Sequence, residues 1–249
     1  MLRPYQNYLR PFQSPPKRDK KKAILWLSAF GVLFAATEDL LQSHTTMLIN
    51  GSLTPNQWGA SVLATLGHSH AVAYSQGAQS LGGDVTPAEA QILLAGTMAI
   101  QAQFLSEFIE ELENGDPRYR KTIDELYPDI GTNEEIEARI KAGELAEPTP
   151  VEPGSNEYWN EKAINQRLDL YNERTRGTAN WGAVDMLLPT EEIYWRLDNN
   201  ENHCDTCPPR SKQVYVKGTL PAVPGDGNSE CGVRCRCWLE LQDGSIIQF

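Results

Sequence analysis

The chain has 249 residues, of which 40% are hydrophobic, and it carries a formal net charge of −11 with a pI of about 4.9. This length suits one large or two small domains with a real hydrophobic core. The overall acidity excludes a protein that coats nucleic acid with its whole surface. The charge is uneven, however, because residues 1–22 hold seven basic side chains against the single acid Asp19.

Residues 1–19 are predicted to form an extended basic arm. The segment contains four prolines and three aromatic residues, namely Pro4, Pro11, Pro15, Pro16, Tyr5, Tyr8 and Phe12. Prolines in this density disfavour a packed helix or strand. The positive charge suits an acidic partner surface or packaged DNA, and salt should weaken such contacts. A disordered tail is the alternative interpretation.

The first predicted helix runs from Lys20 to Ser43, and its segment 23–36 is apolar nearly all round. A helix of that kind is typically buried at the centre of a protein. The preceding basic run also raises a signal sequence or a membrane anchor as an alternative. We favour the buried helix, because an apolar run of about 14 residues is shorter than the roughly 20 that span a bilayer.

Two further helices begin with the same signal, a threonine cap followed by proline and then Gln or Glu three residues after the cap. The first should run from Thr54 to about Gly77, and the second from Thr86 to about Asn114. On the first, we expect Trp58, Val62, Leu63 and Leu66 to face inward. His68 and His70 are two positions apart and point in different directions, so we do not expect them to share a metal.

The next segments are less sharply marked. Residues 116–142 predict two short helices, and the proline-rich stretch 143–154 predicts a linker. Ser155 is a candidate cap for a helix that continues to about Leu187. Gly177 and Gly182 weaken this helix, so a break near them is expected.

After Pro189 the hydrophobic pattern changes to the period of a strand. Three short strands are predicted, at Glu192–Leu197, Gln213–Val216 and Cys237–Leu241. The fold class is therefore mainly α, with a bundle-like helical body and a small C-terminal β-rich cysteine knuckle, an α+β arrangement. Its predicted parts are the arm at 1–19, the body at 20–188 and the cysteine module at 189–249.

All five cysteines lie in this last module, and none precedes residue 204: they are Cys204, Cys207, Cys231, Cys235 and Cys237. Such a group at short spacing predicts a structural metal knuckle, with Zn²⁺ as the hypothesised ion. Because the ion would have four ligands, one cysteine, or His203, is left over and does not coordinate it. We expect the module to have little hydrophobic core of its own, so that metal binding would supply the stability that buried apolar side chains do not.

The same cysteines allow other chemistries. Disulfides are one, although five is an odd number and nothing else indicates secretion. A thioredoxin-type pair is disfavoured, because it needs its first cysteine at a helix N-terminus and two prolines follow Cys207. A catalytic zinc site lacks a separate His/Glu set to hold an open position. No phosphate-binding glycine loop or nucleophile elbow occurs in the sequence.

The pattern from Glu191 to Leu241 resembles a known family. A Cys-x-x-Cys pair, a Pro/Gly-rich loop and a Cys-Arg-Cys before a strand are similar to the C-terminal module of phage head morphogenesis proteins, the Mu F-like minor head proteins. Their usual ending is His-Pro-Asn-Cys-Arg-Cys. Here Cys231 stands near the position of that histidine, one residue further from the Cys-Arg-Cys.

This resemblance implies a non-enzymatic virion structural protein, present in few copies, that acts in head assembly near the portal. Its partners would be the portal or other capsid proteins, in the virion and, during assembly, in the host cytoplasm. A head–tail connector or another capsid-associated protein is the nearest alternative. A cellular zinc-knuckle interaction protein is an alternative from a different class.

Overall fold

A computed structural model describes residues 20–114, 138–139, 141–144, 161–198 and 203–249. Within these ranges the chain is mainly helical with a small C-terminal antiparallel sheet, which confirms the α+β prediction. The arm at 1–19 and most of the predicted short helices and linker at 116–154 lie outside the described residues. The predicted cap at Ser155 lies outside them as well.

Five helices form the described part of the body: α1 at Lys20–Ile49, α2 at Pro55–Ser80, α3 at Pro87–Leu93, α4 at Ala95–Asn114 and α5 at Glu161–Asp185. The C-terminal module contains a short helix α6 at Cys207–Ser211 and a 3₁₀ turn at Gly232–Arg234. Its strands are β1 at Ile193–Arg196, β2 at Val214–Tyr215, β3 at Trp238–Leu241 and β4 at Ile246–Ile247.

The sheet has the order β2-β1-β3-β4, and all its pairs are antiparallel. The long-range pair is β1 with β3, where Trp195 lies opposite Leu239. Strand β3 therefore lies beside β1. It is not the last strand of the chain, although it is the last of the three strands that the sequence predicts. Strand β4 has only two residues, too few to give a periodic signal, and it follows a turn at Gly244 with a φ of 78°.

Helix α1 is longer than predicted, and over residues 29–49 it is buried on one side only. Its inner face there holds Phe30, Thr37, Leu41 and Thr45, whereas Val32 is 71% exposed and Leu40 is 53% exposed. Over residues 29–36 the prediction of a centrally buried helix is therefore wrong, because the described elements cover only one side of that part of α1. Within the described residues no single helix has the length and hydropathy of a membrane span. Helix α3 and the part of α4 up to Leu112 meet that length and hydropathy only together, as a pair bent by 70°.

Both predicted helix starts are confirmed as capping boxes, at Thr54 with Gln57 and at Thr86 with Glu89. The second helix is not continuous, however, because it bends at Leu94 between α3 and α4. Helix α3 buries Ala90 against α2, while α4 turns its own apolar face, including Leu105 and Phe108, into the main cluster of the body. One straight helix could not serve both contacts.

Helix α5 continues through Gly177 and Gly182, so the predicted break is wrong. The reason is tertiary: these glycines allow backbones to approach closely. A Cβ at Gly182 would overlap the carbonyl oxygen of Tyr74 on α2, and a Cβ at Gly77 on α2 would overlap the carbonyl oxygen of Ala179 on α5. The cost of glycine within the helix is thus offset by close α2–α5 packing.

The hydrophobic core has two main parts. In the body, a cluster around Trp58, Phe108 and Leu168 joins α1, α2, α4 and α5. A second cluster contains the inner face of the sheet together with Leu187 and the C-terminal end of α5. The prediction that the module has little core of its own is therefore wrong, because strands, loops and the end of α5 bury apolar side chains together.

His68 is exposed and His70 is fully buried, so the two rings do lie apart. The Nδ1 atom of His70 lies 2.7 Å from Oγ1 of Thr178 on α5, while its Nε2 has no hydrogen-bond partner. Burial, helped by the positive charge of Arg174, lowers the pKa of His70 to about 4. This histidine is therefore neutral in the folded protein near pH 7.

This shift predicts a pH-dependent stability. Because the folded-state pKa of about 4 lies below the unfolded value of 6.5, the contribution of His70 is complete above pH 6.5 and is lost as the pH falls towards 4. Between pH 7 and pH 5 the loss should be about 2 kcal/mol. Urea unfolding of wild type and His70→Gln at both pH values measures it, since the substitution removes this dependence. Equal pH dependence in the two proteins would contradict the assignment.

Candidate metal centre

Three short segments carry the cysteines to one place. Cys204 lies just before α6, and Cys207 is the first residue of that helix. A short helix forms although two prolines follow Cys207. Proline is tolerated there because the first turn of a helix requires no backbone N–H donors. Cys231 precedes the 3₁₀ turn and Cys235 follows it. Cys237 then directly precedes β3.

The sulfur atoms of Cys204, Cys207 and Cys231 are spaced as three ligands of one ion would be. The Sγ atom of Cys204 lies 3.5 Å from that of Cys207 and 3.4 Å from that of Cys231. Cys207 is 3.7 Å from Cys231 and 3.8 Å from Cys235. Thiolates at about 2.3 Å from a tetrahedral ion would be about 3.8 Å apart. Disulfide bonds of about 2.05 Å are much shorter, and all five cysteines are unpaired.

Two groups of three sulfurs meet the geometric requirement of a metal site, and each has its sulfurs within 4.8 Å of one another. One group is Cys204, Cys207 and Cys231, and the other is Cys207, Cys235 and Cys237. The structure therefore brings all five predicted residues together, and these cysteines can hold a metal ion. His203 belongs to neither group.

The protonation of these thiols reflects their crowding. Burial acts to raise the pKa of Cys204, but its hydrogen bonds with Cys231 and Cys207 outweigh burial and lower that pKa to about 6. Burial and then the charge of Cys235 raise the pKa of Cys207. A hydrogen bond with Cys237, followed by burial, raises the pKa of Cys235. Without a cation only part of the cluster ionises, whereas a bound cation stabilises several thiolates at once.

A loop between the two halves of the cluster attaches the module to α5. The Nδ2 atom of Asn180 donates to the carbonyl of Pro224 over 2.8 Å, and the indole of Trp181 donates to Asp226 over 3.2 Å. Asp226 also accepts the backbone N–H groups of Val223 and Asn228, which fixes the loop's shape. The sequence shows the Pro-Gly-Asp-Gly turn but not that these α5 residues are its partners.

Two more contacts seat the cluster on the same helix. Arg176 donates through Nη2 to the carbonyl of Val233 over 2.9 Å, inside the 3₁₀ turn between Cys231 and Cys235. At Gly177 a Cβ would overlap the backbone nitrogen of Asp226. Only a residue without a side chain therefore lets the loop lie directly on α5.

Comparison with known proteins adds no assignment, since no protein-family model, no curated protein and no solved structure matches this chain.

The contact at Gly177 can be tested by adding a methyl group. Gly177→Ala should destabilise the protein by about 1–3 kcal/mol, because backbone atoms of the loop must move. Gly31→Ala is the matched control: Gly31 is exposed in α1, and nothing lies within 4 Å of its added Cβ. Helix propensity should make that variant more stable by up to about 1 kcal/mol. Urea unfolding measures both, and a Gly177→Ala protein as stable as wild type would refute the close contact.

Proposed function

We propose that the cysteine cluster is a structural zinc site. The observation that carries this proposal is the close approach of Cys204, Cys207 and Cys231, whose Sγ atoms lie 3.4–3.7 Å apart, as three thiolates on one tetrahedral ion would. The Sγ atom of Cys235 lies a further 3.8 Å from that of Cys207. Zinc suits this set, since it favours thiolate ligands and tetrahedral geometry. The thiols would stay reduced in a cytoplasm, where disulfides are rare.

The ion's role in this proposal is to close the module. Cys207 and Cys231 are 24 positions apart, and the loop between them includes α6, β2 and the turn that lies on α5. Closing a loop of this length has an entropic cost that metal coordination offsets. Through the Cys235–Cys237 segment the ion would also fix the start of β3, the strand that pairs with β1.

We further propose that the chain is a virion structural protein, a minor head protein that acts in phage head assembly and associates with the portal. The support is the Cys-x-x-Cys, Pro/Gly-rich loop and Cys-Arg-Cys pattern, which resembles that of the Mu F-like proteins. The attachment of this module to a long body helix fits a structural and non-enzymatic role. It would present a fixed surface for assembly rather than a reaction site.

Exposed apolar side chains support the idea of a large assembly. On α1, Val32, Leu40 and Met47 lie on the outer surface, and Ile92 on α3 is 73% exposed. In the sheet, the edge residue Ile246 is 57% exposed. Partner subunits of a particle would cover such residues, since burial of apolar surface drives most association.

The zinc proposal predicts one zinc ion per chain in protein purified under reducing conditions, as measured by elemental analysis. Cys204→Ser should lower the zinc content and disorder the C-terminal module, while far-UV circular dichroism retains most of the helical signal. A strong chelator should reproduce this change in wild type and have no further effect on the variant. Zinc-free wild-type protein with its cysteines paired as disulfides would contradict the zinc site and show that the cysteines form covalent cross-links instead.

The assembly proposal predicts that the chain co-purifies with proheads or portals at low copy number during infection. Mass spectrometry of gradient-purified particles, together with negative-stain imaging, measures its presence and abundance. Deletion of residues 1–19 should leave the helical body folded but lower incorporation, because it removes the basic arm. Recovery only in connector or tail fractions would favour the connector alternative, and recovery only as free protein would contradict a virion role.

A further inference from the structure

The cysteine cluster contains one sulfur more than a tetrahedral ion needs. Its two groups of three, Cys204-Cys207-Cys231 and Cys207-Cys235-Cys237, share only Cys207. In the first group all three Sγ–Sγ distances are 3.4–3.7 Å, close to those of ligands on one ion. That group therefore supplies three ligands, and the second group offers two candidates for the fourth position.

The two candidates face the same side of the chain. Cys235 has an extended backbone, with φ −60° and ψ 120°, and it lies two residues before Cys237. The burial indicates this: Cys235 is 2% exposed and Cys237 is 4% exposed, whereas Arg236 between them is exposed, so both cysteines face the interior and Arg236 faces away from it.

Each candidate also has its own attachment to the site. The Sγ atom of Cys235 lies 3.8 Å from that of Cys207, a ligand-to-ligand distance. Cys237 lies beside the buried side chain of Trp195, whose indole N–H has no hydrogen bond of good geometry. A metal-bound thiolate at Cys237 would give this N–H an acceptor, as partners in the surroundings of metal sites commonly do.

We propose that Cys204, Cys207 and Cys231 hold the ion at all times and that Cys235 and Cys237 alternate as its fourth ligand. This inference rests on the proposed metal site and adds its ligand set. The exchange conserves charge: the arriving thiol releases its proton as its sulfur binds the ion, and the departing thiolate takes up a proton. The site thus retains four sulfur ligands when either residue of the Cys-Arg-Cys segment is lost.

Cobalt substitution tests this proposal, because Co²⁺ occupies tetrahedral thiolate sites and the intensity of its thiolate charge-transfer bands reports the number of sulfur ligands. Cys235→Ser and Cys237→Ser should each bind one Co²⁺ per chain with four-sulfur spectra and an affinity within about tenfold of wild type. The double variant should show three-sulfur intensity and a further loss of about 100-fold or more. Arg236→Ala is the control for altering the segment without removing sulfur, and it should match wild type.

Three results would overturn the inference: one single variant that is as impaired as the double variant, a double variant no weaker than the single ones, or two Co²⁺ ions per wild-type chain. Wild-type protein that binds neither Co²⁺ nor Zn²⁺ would instead refute the metal site itself. If a single variant fails to fold, NMR of the zinc-loaded wild type decides. The ¹³Cβ signals of Cys235 and Cys237 should both be doubled or lie between free and bound positions, whereas one fully bound and one fully free residue would contradict the exchange.

Discussion

The arrangement of this protein depends on close backbone contact along helix α5. The backbone of α2 packs directly against Gly182, and the loop of the cysteine module packs directly against Gly177. Both contacts require the absence of a side chain, because a Cβ would overlap main-chain atoms that cannot move independently. A single helix is therefore the shared support of the helical body and the C-terminal module.

This support gives the cysteine module its orientation. Polar side chains of α5 bind the module on either side of Gly177: Arg176 donates to the carbonyl of Val233 in the 3₁₀ turn, and Asn180 donates to that of Pro224 in the loop. At the end of the helix, Leu187 packs into the core beneath the sheet. The cysteines are thus positioned by tertiary contacts as well as by their own short segments, and in our proposal the ion stabilises an arrangement that the body already favours.

The sequence predicts those parts of the fold that are determined by contacts between residues close together in the chain. The capping boxes at Thr54 and Thr86 define helix starts because their hydrogen bonds lie within four residues. The bend at Leu94 depends on which surfaces α3 and α4 meet, so the periodicity of the segment does not reveal it. In α5, helix propensity suggested a break at the glycines, but their role appears only when the neighbouring backbones are in place.

The same distinction between local and tertiary contacts applies to the candidate metal site. The clustering of cysteines in the last fifth of the chain was sufficient to predict that they come together, and the structure confirms this. The sequence could not reveal that Cys207 lies at the junction of two sulfur groups or that Trp195 lies beside Cys237, because both facts depend on how β1 pairs with β3. Nor could it show that His203, adjacent to Cys204, belongs to neither group.

X-ray absorption at the zinc edge of the purified, reduced protein is the direct test of an all-cysteine zinc site, because it measures the ligands around the ion itself. We expect four sulfur neighbours at about 2.3 Å and no nitrogen or oxygen in the first coordination sphere. A shell in which nitrogen or oxygen replaces one or more sulfurs would contradict the all-cysteine site, and so would the absence of bound zinc.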